Sequence, residues 1–360
     1  MKKFINTIVT FTALFLITAV TYDDSESYCV IFPQNGRDIF GVAQRNILVI
    51  GEDEVSLIPQ VHFEGDARDF GILVPVPAEP KLSTVGSMIF TEASFMTQPI
   101  VRRSSSGGCG CDDDNNNIFG PQELSIDRAS VGALVDDTQG GVTVIYEKIV
   151  GTFQAVVLQA TSADDLTQWL GENNYHFDPE DADLLVDYVA QDWFFVAMKL
   201  DTNQAPQIIN QWWNATTSPA KITFAHSGES LTYPLKVSAI STNERMEVLV
   251  YTIGKNPMRF PGAKVEYANE FDEDEIAAVS IRYPTLSGFI APGSFVTKLR
   301  KTFSKAEMKQ DIEISVTADR TEFREIKYVK NSNVGIIGMV LLAAALLFNR
   351  RKRNKFRVTE

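Results

Sequence analysis

Hydrophobic and polar residues form short, regularly spaced runs along the first hundred residues. Runs rich in Val, Ile, Leu and Phe at 46–50, 55–63 and 70–76 are separated by Gly and Asp, which predicts three strands of a meander. Pro75 and Pro77 either end the third strand or place it at a sheet edge, because proline has no N–H for the strand ladder.

The middle of the chain predicts a strand, two helices and a second strand. Residues 153–160 are a strand run, and Ser162, with an Asp three residues later, caps a first helix. A second helix begins at Asp178 with proline in its first position. Residues 193–200 return to the strand pattern, which completes a strand–helix–helix–strand unit.

The remaining periodic segments are also mostly strands, and they define the predicted fold class as α+β. Strand runs lie at 142–150, 222–224, 231–240, 245–253, 294–303 and 312–318. Residues 269–279 predict a short helix with an acidic first turn, and Ser304 with Glu307 forms a capping box for another.

Residues 101–141 interrupt this pattern. They are rich in Ser, Gly, Asp and Asn, which is typical of a long exposed loop. The body of the chain, residues 22–333, is then either one unit or two subdomains, 28–100 and 142–330, joined by this loop.

The C-terminal end predicts a single transmembrane helix. Residues 334–348 carry no charge and span about 22 Å as a helix, against about 30 Å for a bilayer core. By length alone they also fit a buried core helix, but a basic cluster follows directly. Such a cluster stays on the cytoplasmic side of a membrane, which makes residues 349–360 a cytoplasmic tail. The cluster comprises Arg350, Arg351, Lys352 and Arg353.

The N-terminal end favours the same topology. Lys2 and Lys3 precede an apolar stretch, the layout of a secretory signal, and residues 1–21 are therefore a signal peptide or, since the cleavage motif is partial, an uncleaved anchor. We expect a single-pass membrane protein with its body outside the cytoplasm, periplasmic or on the cell surface. The net charge of −13 excludes nucleic acid as an expected partner.

Three cysteines, Cys29, Cys109 and Cys111, are the disulfide candidates. Export makes a disulfide possible, and the odd number leaves one thiol free or paired with another chain. We favour Cys29 bonded to one of the other two, because three cysteines with no nearby histidine are too few for a zinc site.

The acidic run after the cysteines is the candidate cation site. Asp112, Asp114 and Asn116 supply oxygen ligands of the kind that calcium takes, but Asn117 stands where an EF-hand loop needs glycine. The alternatives are a calcium site and a solvated loop, and no other cofactor is expected.

No catalytic motif stands out. A nucleophile elbow, a P-loop and a zinc-protease helix motif are all missing from the sequence, and His62, His176 and His226 lie far apart. Ser218 and Lys221 have catalytic Ser-x-x-Lys spacing, but a strand run follows them where that motif needs a helix. We expect a non-catalytic envelope protein that binds a partner protein or a surface polymer. The alternative is a hydrolase or metal-dependent enzyme whose site is assembled from distant residues.

One stretch resembles a known bacterial family. Residues 58–80 contain a Gly-Asp-x-x-Asp-Phe turn from Gly65 to Phe70 and a strand ending Pro-Val-Pro, and they are similar to the family called domain of unknown function 2330. Residues 153–200, 231–235 and 295–299 share the resemblance. It implies a signal peptide, an extracytoplasmic body and often a C-terminal span, but no assigned activity. Of the family's cysteine-bearing, Gly-rich N-terminal motif this chain has only Cys29.

Overall fold

The structure of the protein is a computed structural model. It describes residues 30–33, 43–60, 62–63, 70–104, 137–151, 153–175, 177, 179–200, 215–216, 219–242 and 244–330. Two units separate by their internal contacts. The main unit comprises Met1–Thr97 and Ser125–Phe323, and the small unit comprises Gln98–Leu124 and Arg324–Glu360.

The described elements are strands with a few short helices, so the fold class is α+β as predicted. The strands are β1 (Val30–Pro33), β2 (Ala43–Ile50), β3 (Glu54–Gln60), β4 (His62–Phe63), β5 (Phe70–Val76), β6 (Lys81–Thr84), β7 (Ile100–Ser104), β8 (Asp137–Gln139), β9 (Val142–Val150), β10 (Phe153–Ala160), β11 (Phe194–Leu200), β12 (Ala215–Thr216), β13 (Ala220–Ala225), β14 (Ser230–Tyr233), β15 (Arg245–Gly254), β16 (Met258–Arg259), β17 (Lys264–Phe271), β18 (Ser294–Ser304), β19 (Ile312–Val316), β20 (Phe323–Arg324) and β21 (Ile326–Lys330). The α-helices are α1 (Ile89–Met96), α2 (Ala163–Glu172), α3 (Val186–Ala190), α4 (Leu235–Ser238), α5 (Glu273–Arg282) and α6 (Pro284–Ser287), and 3-10 turns lie at Pro179–Leu184 and Lys305–Glu307.

Two large sheets form the centre of the main unit. One has eight strands in the order β20-β17-β18-β15-β2-β3-β13-β6, and the other has six in the order β1-β5-β11-β10-β9-β8. In the first, β2 and β15 run parallel, with Asn46 opposite Val250, whereas β3 and β18 flank them antiparallel.

The two sheets pack face to face, with a layer of helices on each outer side. Leu48 and Val248 from the eight-stranded sheet share a buried cluster with Val157 and Val196 from the six-stranded sheet. The other face of the six-stranded sheet packs on α2 and α3, and the other face of the eight-stranded sheet packs on α1 and α6. Both faces of each central strand are therefore buried, which explains their nearly continuous apolar runs.

The strand–helix–helix–strand unit is confirmed, with one change. Strands β10 and β11 and helix α2 lie where the pattern predicts them, and Ser162 caps α2 by accepting a hydrogen bond from the Asp165 N–H. The second helix is a 3-10 turn from Pro179 to Leu184 followed by the short α3.

The predicted meander is wrong for its third strand. Strands β2 and β3 are neighbours, but β5 pairs with β1 and β11 in the other sheet. Strand β5 ends at Val76, directly before Pro77, as the sequence predicted for its prolines.

Other predicted bounds were also wrong. The strand expected at 231–240 stops at Tyr233, because Pro234 cannot donate to a ladder, and the chain enters α4. The helix expected at 269–279 starts at Glu273, after Asp272 forms a capping box with Glu275. The loop expected at 101–141 begins and ends in strands, β7 and β8.

Several predictions stay predictions. Among the described residues no helix is long and apolar enough to cross a membrane, and residues 334–348 lie outside them. The signal segment, the three cysteines, Asp112, Asp114, Asn116 and the Arg350–Arg353 cluster also lie outside the described residues. Strands from 28–100 and from 142–330 share both large sheets, and the division into two subdomains stays a prediction.

Candidate functional site

A cleft of about 200 Å³ opens in the main unit between the eight-stranded sheet and a small three-stranded sheet. Its polar lining is Arg259, Thr297, Thr317, Asp319 and Thr321, and its apolar lining is Pro257, Met258, Val265, Ala268 and Phe323. This volume suits one small chemical group, because drug-sized ligands occupy pockets of about 300–1,000 Å³.

The walls of the cleft are set by strand pairing. On one side, β16 pairs with β19, which places Arg259 opposite Ser315. On the other side, β17 pairs with β18, which places Ala268 opposite Thr297. Strands therefore form two sides of the cleft. The rest of its lining comes from residues 317–323, which follow β19.

An ion pair stands at the cleft. Arg259 Nη2 lies 2.6 Å from Asp319 Oδ2, and both side chains are about half exposed. The Thr321 hydroxyl and the Thr321 N–H, at 3.1 Å from Asp319 Oδ1, are the main causes that lower the pKa of Asp319, and Arg259 adds a smaller effect. Asp319 is therefore ionised at neutral pH and held in one orientation.

A buried hydroxyl of the cleft has no partner. Thr297 is 2% exposed, and its Oγ1 makes no hydrogen bond within the described part of the chain. Thr252 lies opposite Thr297 on β15, and its buried hydroxyl is also unpaired there. Both hydroxyl oxygens are closed to a molecule the size of water, so they are buried beneath the cleft wall and do not contact a ligand in the cleft.

Arg320 fixes the cleft-closing segment from outside. Its guanidinium lies 2.9 Å from Glu270 Oε2 and stacks 5.3 Å from the Phe295 ring centre. Its Nη1 also donates to the Lys255 carbonyl at 3.3 Å. These contacts tie residues 317–321 to β17 and to the turn after β15, and they leave Arg259 as the guanidinium that lines the cleft.

A second polar group, the Glu266 cluster, is largely buried. Glu266 lies 3.1 Å from Lys298 Nζ and 2.8 Å from Arg300 Nε, and Arg300 also pairs with Glu247. Burial acts to raise the pKa of Glu266, but the cations of Arg300 and Lys298 outweigh it and the pKa is lowered. The four charges neutralise one another across β15, β17 and β18, which indicates a structural role.

A third polar group joins β2 of the eight-stranded sheet to β14 and to helix α4. The Tyr233 hydroxyl donates to Gln44 Oε1 and accepts from Asn46 Nδ2 at 2.7 Å, and Gln44 Nε2 donates to Ser238 at 2.6 Å. The adjoining cavity holds about 30 Å³, room for about one water molecule. Asn46 Oδ1 has no partner among the described residues, and such a water would satisfy it.

A fourth polar group, around Asp311, attaches α3 and α4 to the start of β19. Asp311 Oδ1 accepts from the Tyr188 hydroxyl at 2.7 Å and from the Lys236 N–H at 2.9 Å. Burial raises the pKa of Asp311 despite these two donors. Lys236 Nζ reaches Asp187 at 2.5 Å, so the group is again satisfied internally.

The sequence-predicted candidates do not come together in the described structure. Side chains of His62, His176 and Ser218 are outside it, as are the cation and cysteine candidates, and Lys221 lies in strand β13 as the strand prediction required. Within the described residues no group of three or more His, Cys, Asp or Glu is close enough to hold a metal.

The sequence pattern did not identify the cleft residues as a site. Arg259 and Asp319 are about 60 residues apart, and Thr297 is embedded in a strand pattern that predicts core packing. The polar string from Thr317 to Thr321 directly after a strand was the available signal, but it is also typical of an ordinary turn.

Comparisons with known proteins place the chain in a family without adding an activity. No curated protein matches it in sequence. Two solved structures are similar at low TM-score: baculovirus p35, with TM-score 0.29 and 12% identity over 83% of this chain and 100% of the other, and a mutated baculovirus p35 after caspase cleavage, with TM-score 0.28 and 7% identity over 80% and 98%. At such TM-scores the likeness carries no argument. The model of the bacterial family described as "Uncharacterized protein conserved in bacteria (DUF2330)" matches residues 25–315, and the chain therefore belongs to that family.

Proposed function

We propose that the protein is a non-catalytic binding module of the bacterial cell envelope, held to the membrane by residues 334–348, with its body outside the cytoplasm. The cleft beside Arg259 and Asp319 receives a small polar group of a partner protein or surface polymer. The observation that carries this proposal is a cleft that presents a guanidinium, a carboxylate and threonine side chains beside an apolar lining.

The chemistry of the cleft favours binding over catalysis. Among the described residues, Asp319 is the one carboxylate in its lining, and it is already engaged with Arg259 and Thr321. A lowered pKa makes Asp319 a poor general acid at neutral pH, and its bound cation makes it a poor base. Guanidinium, carboxylate and hydroxyl groups together offer both donors and acceptors, which suits a hydroxyl-bearing or amide-bearing group.

The apolar lining adds a surface for the same group. Phe323 is 45% exposed, and Met258 and Val265 lie with it in the cleft. An aromatic face beside polar groups accommodates the apolar face of a ring that carries hydroxyls at its edge. For this reason the proposed ligand includes a surface polymer as well as a partner protein.

The anchoring part of the proposal is supported by sequence. Residues 334–348 are uncharged, and four consecutive basic residues follow one position later, as expected for the cytoplasmic end of a span. The charged-then-apolar N-terminus supports export of what lies between.

The test is binding by the full chain, extracted gently from membranes, to envelope polymer fractions and co-purifying proteins. Arg259→Ala should weaken binding by about tenfold or more, because a charge-assisted hydrogen bond to the ligand is lost. Arg282→Ala, an exposed arginine on α5, is the matched control and should bind like the parent.

Two results would contradict the proposal. Equal binding by Arg259→Ala and the parent would show that the cleft is not the binding site. Turnover of a supplied substrate, if replacing a single Ser, His or Asp abolished it, would show that the protein is an enzyme.

A further inference from the structure

The small unit contains a parallel strand pair, β7 and β21. Ile326 stands opposite Ile100, Lys327 opposite Val101 and Tyr328 opposite Arg102. The Ile100 N–H donates to the Glu325 carbonyl at 2.8 Å, which aligns the start of the two strands. This pair is therefore a defined surface on which side chains have fixed positions.

The strand pair exposes an unusual amount of apolar surface. Among the described residues, nine large hydrophobic side chains are exposed, and four of them lie on this pair. Ile100 at 42%, Ile326 at 39% and Tyr328 at 69% share one face of the pair, and Val101 at 59% lies on the other face. Three exposed apolar side chains that cluster on one face mark a contact surface.

Basic residues lie between these apolar side chains. Arg102 is exposed opposite Tyr328 on the same face, and Lys327 is exposed opposite Val101 on the other face. The chain as a whole carries a net charge of −13, so this local basic and aromatic composition differs from the rest of the protein. Aromatic residues with Lys and Arg are the composition that favours the headgroup region of a bilayer.

The chain itself places this surface close to a membrane. Strand β21 ends at Lys330, and three residues, 331–333, separate it from the proposed span at 334–348. An extended chain covers at most about 3.6 Å per residue, so the end of β21 is within roughly 15 Å of the start of the span.

We propose that the β7–β21 pair lies on the outer surface of the membrane and binds anionic lipid headgroups. Tyr328, Ile326 and Ile100, which share one face of the pair, enter the headgroup layer, and Arg102 on the same face contacts lipid phosphates. The surface is thus a second membrane contact beside the span. This inference rests on the proposed anchoring by residues 334–348.

The experiment uses the full chain reconstituted in vesicles of phosphatidylcholine with phosphatidylglycerol, some of the lipids being brominated near the headgroup end of their acyl chains. Tyr328→Trp adds a tryptophan to the four of the chain, and its contribution is the difference from the parent. Ile281→Trp is the matched control, because Ile281 is 87% exposed and far along the chain from the span. Brominated lipid should quench the added fluorescence of Tyr328→Trp at least about twofold more than that of Ile281→Trp.

A second comparison tests the charges. Replacing Arg102 by Gln should reduce the quenching of Tyr328→Trp in vesicles that contain phosphatidylglycerol, and it should have little effect in pure phosphatidylcholine. Lys327→Gln, on the other face of the pair, is the control and should have little effect in either lipid. An equal effect of Arg102→Gln in both lipids would contradict binding of anionic headgroups.

The outcomes separate this inference from the proposed function. If the full chain fails to float with vesicles after a carbonate wash, the anchoring itself is wrong. If the chain floats but Tyr328→Trp and Ile281→Trp are quenched equally, the lipid contact is wrong while the anchor stands. A blue-shifted emission of Tyr328→Trp without quenching would mean that protein, such as a strand of a partner, covers the surface, and it would also overturn the inference.

Discussion

The ring of Tyr175 covers Gly71 so closely that a Cβ added to Gly71 would lie 2.3 Å from the Tyr175 Cδ1 atom. Gly71 lies in β5 opposite Lys199 of β11, and Lys199 Nζ stands 4.2 Å from the same ring. Asn174, directly before Tyr175, has the left-handed φ of 58° that turns the chain back toward the sheet. The glycine is therefore part of the packing between the six-stranded sheet and the helical layer.

We expect Gly71→Ala to lower the free energy of unfolding by about 3 kcal/mol, because the tyrosine ring must move out of a packed layer. Gly171→Ala is the control. No atom lies within 4 Å of a Cβ placed there at the end of α2, and helix propensity favours alanine by about 1 kcal/mol. Urea unfolding of the detergent-solubilised chain measures both, and equal stability of the two variants would refute the packing role of Tyr175.

The Glu266 cluster makes a prediction about stability. Replacing Glu266 by Gln removes the carboxylate that pairs with the buried Lys298 ammonium and with Arg300, and we expect a loss of about 3 kcal/mol at neutral pH. Glu270→Gln removes a half-exposed pair with Arg320 and should change stability by no more than about 1 kcal/mol. A loss for Glu270→Gln as large as that for Glu266→Gln would contradict this difference.

The pH dependence of the Glu266 effect has a definite sign. The pKa of Glu266 is lowered in the folded state from its ordinary 4.5, so its stabilising effect is complete above that value and is lost as the pH falls through the folded-state pKa. The difference in thermal unfolding temperature between the parent and Glu266→Gln should therefore shrink in acid.

Asp311 should behave in the opposite way. Its pKa is raised above the ordinary 3.8 by burial, so the ionised carboxylate costs stability at neutral pH and protonation relieves that cost as the pH falls. Asp311→Asn keeps the acceptor for Tyr188 and Lys236 and should be as stable as the parent or more so at pH 7. Asp311→Ala leaves both donors unpaired and should lose about 1–3 kcal/mol. Denaturation curves at neutral and acid pH check both variants, and a loss for Asp311→Asn at pH 7 equal to that of Asp311→Ala would contradict the raised pKa.

The paired threonines make a prediction about stability. Thr297→Val and Thr252→Val each remove a buried hydroxyl that has no partner among the described residues, and each should leave stability equal or raise it by about 1 kcal/mol. Urea unfolding measures both variants, and a loss of more than about 1 kcal/mol for either would show that its hydroxyl is satisfied in the folded protein.

Local structure was predictable where periodicity and caps agree. Strand β10 and helix α2 follow from the apolar spacing and from the Ser162 cap, and the acidic Asp272 run was correctly assigned to a helix N-terminus. Such signals depend on residues a few positions apart, so they survive without knowledge of the tertiary fold.

Sheet membership and the cleft were not predictable, because both depend on contacts between distant residues. Strand β5 has the same apolar composition as β2 and β3, and only its partners β1 and β11 place it in the other sheet. The cleft arises because β16 and β19 bring Arg259 near Asp319, and neither residue differs from an ordinary surface residue in the sequence.

The parallel pairing of β2 with β15 has a consequence for how the protein is made. Ala43 of β2 stands opposite Glu247 of β15, so roughly 200 further residues must be synthesised after β2 before β15 can pair with it. A ribosome or a translocon releases the chain from its N-terminal end, and the central sheet cannot close until nearly the whole body has emerged. Chaperones that hold nascent or newly secreted chains would meet β2 as an unprotected apolar edge during that interval.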